Sequence, residues 1–122
     1  WGQRLRKRIS GETVPEGERF FIHNVDGTKG EFPEVSYQAL NDQYLVTYTV
    51  SDNANASIRG QAVKDSYVTP GPLLDGNPVI IRSMDQPLPR LPASHIAAYT
   101  TYTHTKSYLV VWDDYNGEQM YP

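Results

Sequence analysis

The strongest constraint on this chain is that it repeats itself. Tyr44-Leu45-Val46-Thr47-Tyr48 recurs as Tyr108-Leu109-Val110-Val111-Trp112, and Gly2-Gln3-Arg4-Leu5 recurs as Gly60-Gln61-Ala62-Val63. Gly17-Glu18-Arg19-Phe20-Phe21-Ile22 recurs as Gly76-Asn77-Pro78-Val79-Ile80-Ile81. Val35-Ser36-Tyr37 recurs as Ala97-Ala98-Tyr99, preceded by Pro33 in one case and by Pro89 and Pro92 in the other. A period of about sixty residues makes each copy one supersecondary unit whose apolar face must be buried on a neighbour. The copies are cut out of register. Within a single module of 122 residues, 31–83 hold a complete copy, and 84–122 with 1–30 hold a circularly split one.

The phase of the cut carries its own expectation. Gly60 follows Tyr48 by twelve residues, and the Gly2 of a further unit joined at Pro122 would follow Trp112 by the same interval. Either the chain is one period of a tandem array, or its first strand completes a sheet begun by the last strand of the same or a neighbouring chain. A start at Trp1 without Met fits a piece of a longer polypeptide.

Tyr, Val, Ile and Thr dominate the ordered-looking runs, which is strand chemistry. Nine Gly and nine Pro punctuate those runs without a period and exclude long helices. The complete copy predicts strands over 34–39, 44–50, 57–63 and 77–82. The split copy predicts strands over 96–101 and 107–113, then 1–5 and 18–24. Tyr44, Val46, Tyr48, Tyr108, Val110 and Trp112 are the matching core positions. In the strand over 107–113 both faces are apolar, so both should be covered. Asp26-Gly27, Asp75-Gly76, Asn116-Gly117 and Pro70-Gly71 supply turn chemistry, and Asn41-Asp42 and His104-Thr105-Lys106 read as hairpin tips. Gly2 and Gly60, inside strand patterns, predict a bulge or a close approach of backbones.

Four short antiparallel strands per copy is the layout of a propeller blade. The stretches Tyr108-Leu109-Val110-Val111-Trp112-Asp113-Asp114, Ile58-Arg59-Gly60-Gln61 and Phe20-Phe21-Ile22 resemble the tandem β-propeller-type repeats of large secreted prokaryotic surface proteins. The resemblance implies propeller-like β repeats, an extracellular or cell-surface location and a structural or adhesive role, with no assigned chemistry. The expected fold is therefore all-β, two four-stranded antiparallel blade-like repeats forming part of a larger array or oligomer. A small β-sandwich closing upon itself is the alternative. Two repeats cannot close a propeller of four to eight blades, so the expected partners are identical or homologous repeats, end to end or in a ring.

Chemistry is sparse. A formal charge of −3 argues against nucleic acid, the cluster Arg4, Arg6, Lys7 and Arg8 reading as a solvated strand end. No stretch is long and apolar enough to span a membrane. Cysteine is absent, which removes disulfides, thiol nucleophiles and thiolate metal sites. His23, His95 and His104 lack metal-ligand spacing, and no serine-nucleophile or phosphate-loop motif is present, so neither catalysis nor a cofactor is expected. Asp113, Asp114, Asn116 and Glu118 gather oxygen ligands about a Gly turn and are a candidate calcium loop, with a plain acidic turn as the competing reading. Trp1, Tyr115, Tyr121, Tyr102 and Tyr67 fall near strand ends or loops and are the candidate ligand contacts, with aromatic rings suited to glycans. The leading expectation is a noncatalytic extracellular structural or adhesive module, one period of a surface filament or propeller array. The alternative is a carbohydrate-binding propeller lectin assembled from two-blade chains.

Overall fold

A computed structural model of the chain describes residues 1–40, 42–52, 54–64, 73–84, 92–100 and 106–113. These form strands only: β1 (Gly2–Lys7), β2 (Thr13–Phe20), β3 (Lys29–Gln38), β4 (Gln43–Ser51), β5 (Ala56–Lys64), β6 (Leu73–Met84), β7 (Ser94–Thr100) and β8 (Lys106–Trp112). All pairings are antiparallel between chain neighbours. β3-β4-β5-β6 make a four-stranded sheet, and β1-β2 and β7-β8 each make a two-stranded one. The fold is all-β, as expected, but only one four-stranded sheet forms instead of two.

The reason lies in the two faces of β4. Val46, Tyr48 and Val50 project to one side and, with Val63 of β5, form a buried cluster on which Phe20 and Ile22 pack. Thr47 and Thr49 alternate with them and so face the opposite way. Thr47 Oγ1 accepts a hydrogen bond from Ser94 Oγ at 3.0 Å, and the Thr49 hydroxyl donates to the Pro92 carbonyl at 2.5 Å. The β1-β2 sheet therefore covers one face of the central sheet and the β7-β8 sheet the other. Among the described residues they lie on opposite sides of the central sheet and share no ladder.

The Thr face is buried yet polar, which is tolerable because its hydroxyls are bonded. The seam with β7-β8 continues in the same style. The Gln38 amide donates to the Tyr99 carbonyl at 2.9 Å, Ser36 Oγ accepts from the Ala98 N–H at 2.8 Å, and the Tyr108 hydroxyl donates to the Gln43 carbonyl at 3.1 Å.

The Gly-Gln pairs behave alike. Gly2 stands opposite Phe20 in β1-β2, and Gly60 opposite Val79 in β5-β6, and in each case the register slips at the following Gln. Gln3 Nε2 donates to the carbonyls of Arg4 (3.0 Å) and Gly17 (3.3 Å). Gln61 Nε2 donates to those of Ala62 (2.9 Å) and Gly76 (3.1 Å). The side-chain amide thus bonds carbonyls that the break in the ladder leaves without a strand partner. Opposite each bulge the partner strand carries a glycine at positive φ, Gly17 at 74° and Gly76 at 72°. Asp75-Gly76 is accordingly a kink inside β6 and not the chain reversal its composition suggested. An ion pair also matches: Arg6 meets Glu16 at 3.3 Å where Lys64 meets Asp75 at 3.1 Å. The basic cluster is β1 and its turn, answered across the hairpin by Glu16 and Glu12.

Three other expectations need correction. β2 runs Thr13–Phe20, not 18–24, because Gly2 pairs with Phe20 and β1 has no residue left to continue the ladder past it. Val35 faces Val46 while Ile96 faces Val110, so Val35-Ser36-Tyr37 corresponds to Ile96-Ala97-Ala98 and not to Ala97-Ala98-Tyr99. One residue of slip would turn every side chain to the wrong face. Finally, β8 is not covered on both sides: Leu109 is 57% and Val111 52% exposed, and Trp112 remains 36% exposed. Tyr44 is also exposed, leaving Val46 and Tyr48 as the buried members of the expected core set. Of the turns, Asp26-Gly27 and Asp42 are as expected, while Pro70-Gly71, Asn116-Gly117, Asn41 and His104-Thr105 lie outside the described residues.

These burials set an order of sensitivities. Ile58, fully buried between β4 and β6, should cost about 2–5 kcal/mol when cut to Ala. Trp112→Ala in the dilute single chain should cost less than the roughly 3–5 kcal/mol of a fully buried Trp, because the residue is already 36% exposed. Urea unfolding of the two variants, compared at equal slope, reads the difference directly.

Candidate functional site

Between the β1-β2 sheet and the central sheet lies an open cleft of about 510 Å³. One wall is β1 itself, residues 1–5, with Phe20 and Ile22 behind it; the other is Pro33, Glu34 and Val35 of β3 with Tyr44 and Val46 of β4. A smaller recess of about 160 Å³ continues it past Trp1 to His23, Glu31 and Tyr48. The walls are mainly apolar.

Local sequence explains why the β3 wall stands open. Pro33 has no N–H to give β4, and the ladder slips between Glu31 and Glu34 with Phe32 at φ 52°, a left-handed conformation unusual for a bulky residue. Beyond the slip, Val35 and Tyr37 lie on the Val46 side of the sheet and remain exposed, Val35 to 60%.

Trp1 lies at the mouth of the cleft. Its ring packs on Phe21 with centroids 3.7 Å apart, and the Arg19 guanidinium sits 4.8 Å from its centre. It is the one candidate ligand contact among the described residues; Tyr67, Tyr102, Tyr115 and Tyr121 lie outside them. Of the calcium candidates, Asp113 follows β8 and is exposed, while Asp114, Asn116 and Glu118 lie outside the described residues. Asp52, after β4, accepts the N–H groups of Ala54 (2.8 Å) and Asn55 (2.7 Å), which holds its carboxyl below the usual range. Its charge thus closes the β4-β5 turn. Among the described residues, no three His, Asp or Glu side chains gather as a metal site would require, and no helix is long and apolar enough to cross a membrane.

His23, Glu31 and Tyr48 bring polar groups to the recess. The Tyr48 hydroxyl is buried and lacks a hydrogen-bond partner among the described residues, and burial pushes its ionisation up. His23, its ring 5.5 Å from that of Tyr48, is held below its ordinary value, first by burial and then by the Arg59 charge. The Thr28 hydroxyl donates to the Val25 carbonyl, so it can only accept from His23 Nε2, 2.8 Å away; the neutral imidazole therefore carries its proton there. His95, on β7, lies 3.5 Å from Glu34, and His104 is outside the described residues.

Sequence reasoning singled out rings near loops and missed this cleft. The signal was present in β8, apolar on both faces, and in the Pro33 interruption of β3. What neither reveals is which surfaces the fold leaves without cover. The chain matches no protein-family model, no curated protein and no solved structure.

Two expectations follow from the recess. Tyr48→Phe should stabilise the chain by about 1–2 kcal/mol, since it removes a desolvated hydroxyl that bonds nothing. For His23, the unfolded chain takes up its proton first on acidification. The stability tied to His23 is complete above pH 6.5 and is lost as pH falls below it, toward the lower folded value. Urea midpoints across pH 4–8 (about that range) should show this slope in the native chain and not in His23→Gln.

Proposed function

We propose that the chain is a noncatalytic structural module, one period of an extracellular or cell-surface β-repeat assembly, whose working surfaces are its two half-sheets. The observation that carries the reading is the matched construction of β1-β2 and β5-β6: a Gly opposite an apolar residue, a Gln bulge bonded through its side chain, a positive-φ Gly opposite, and a bridging ion pair. β7-β8 and β1-β2 then read as the inner and outer halves of a second blade, divided between the two sides of the intact one.

Exposed apolar surface favours association over chemistry. Val35, Tyr37 and Tyr44 on one side and Tyr99, Leu109 and Val111 on the other form patches of the kind that mark interaction sites. A glycan site has less behind it, because the Trp1 ring is already engaged by Phe21 and Arg19, and the counterpart of Trp1 in β5 is Arg59, which offers no ring.

The reading predicts self-association. Sedimentation velocity over a wide concentration range should show species heavier than the 13.8 kDa chain, growing with concentration. A constant 13.8 kDa at the highest concentrations would overturn the proposal.

A further inference from the structure

We propose that β8 of one copy of this chain pairs antiparallel with β1 of a second copy, in the register that β4 and β5 hold within the chain. The inference rests on the repeat-module reading and specifies its junction. Among the described residues β8 is laddered on one edge, to β7, and β1 on one edge, to β2. An edge without a ladder is a template for another strand. Proline, which cannot donate to a ladder, occurs in β2, β3 and β6; β1 and β8 are free of it, as are the interior strands β4 and β5.

The register comes from the intact pair. In β4-β5, Tyr44 faces Val63, Leu45 faces Ala62, Val46 faces Gln61 and Thr47 faces Gly60. β8 repeats the β4 pattern and β1 repeats the β5 bulge. The junction therefore sets Tyr108 against Leu5 of the second copy, Leu109 against Arg4, Val110 against Gln3, and Val111 against Gly2.

Space and faces agree with this register. The 510 Å³ cleft is lined by residues 1–5 together with Pro33, Val35, Tyr44 and Val46, so open space adjoins the strand that an incoming β8 would join. Residues directly opposite across a sheet share a face. Phe20 is opposite Gly2, and Phe20 points at the Val46 side of the central sheet. Val111 opposite Gly2 would point the same way, with Leu109 two residues along. The exposed Leu109-Val111 face of one copy then closes on the exposed Val35-Tyr37-Tyr44 face of the next. Because the two surfaces differ, each copy added leaves one of each kind free, and the contact propagates as a ring or a filament.

The chain has no cysteine, so introduced thiols report the register without background. Leu5→Cys chains mixed with Tyr108→Cys chains should give the mixed disulfide on mild oxidation, in excess of either homodisulfide. Leu5→Cys with Val110→Cys, two residues out of register, should give roughly a tenth as much, since its Cα separation exceeds the bridging range. Leu109→Lys with Val111→Lys should return the assembly to monomer with an unchanged circular dichroism spectrum, since both side chains are already exposed in the single chain. Heavy species that form while the two cysteine pairs cross-link equally, or that survive the lysine variant, would overturn this junction and leave the module reading standing. A chain that never associates would overturn both.

Discussion

β4 is hydrogen-bonded along both edges and covered on both faces, and the placement of every other element follows from that. Its edges take β3 and β5. Its Val46-Tyr48-Val50 face takes Phe20 and Ile22, and its Thr47-Thr49 face takes Pro92 and Ser94. Because successive side chains of a strand point to opposite faces, a single nine-residue strand can order three sheets in a stack. The apolar face supplies most of the burial, and the hydroxyl face fixes position, since a Thr hydroxyl taken from water must find its partner at a definite distance.

That arrangement has a consequence at the ends of the stack. A half-sheet on each face of the central sheet is laddered, among the described residues, only within its own hairpin. β1 manages this with charge: Arg4 and Arg6 hold Glu16 across the hairpin. β8 does not, since Leu109, Val110 and Val111 offer no charge at all. A proline-free strand whose charge is confined to its first residue, Lys106, is one that proteins ordinarily cover or pair when its edge is open, and β8 resembles β4 in sequence.

Much of the strand map was legible in advance. β1, β4, β5, β7 and β8 fall within two residues of where alternation and turn chemistry put them, while β3 and β6 begin five and four residues early and β2 is displaced toward the N-terminus. The Gly-Gln bulges were legible as well, because glycine inside a strand pattern has few other uses. The register of β7 was not. Ile96-Ala97-Ala98-Tyr99 is apolar throughout, so alternation could not say which residue faces the core, and only pairing with β8 decides it. Asp75-Gly76 misled for a related reason, since positive φ serves a bulge as readily as a turn.

The sequence by itself determined that this chain is made of short antiparallel strands and that Gly2 and Gly60 mark irregular points in two of them. These are local matters of propensity and period, written in neighbouring residues. The tertiary structure alone decided that β1-β2 and β7-β8 lie on opposite faces of the central sheet, that the expected second sheet is left as two halves, and that a cleft opens beside β1. Those outcomes depend on which face of β4 each half can cover. That depends on the fit of Phe20 and Ile22 to Val46 and Tyr48, and of Ser94 to Thr47, contacts between residues far apart in the chain that no local pattern encodes.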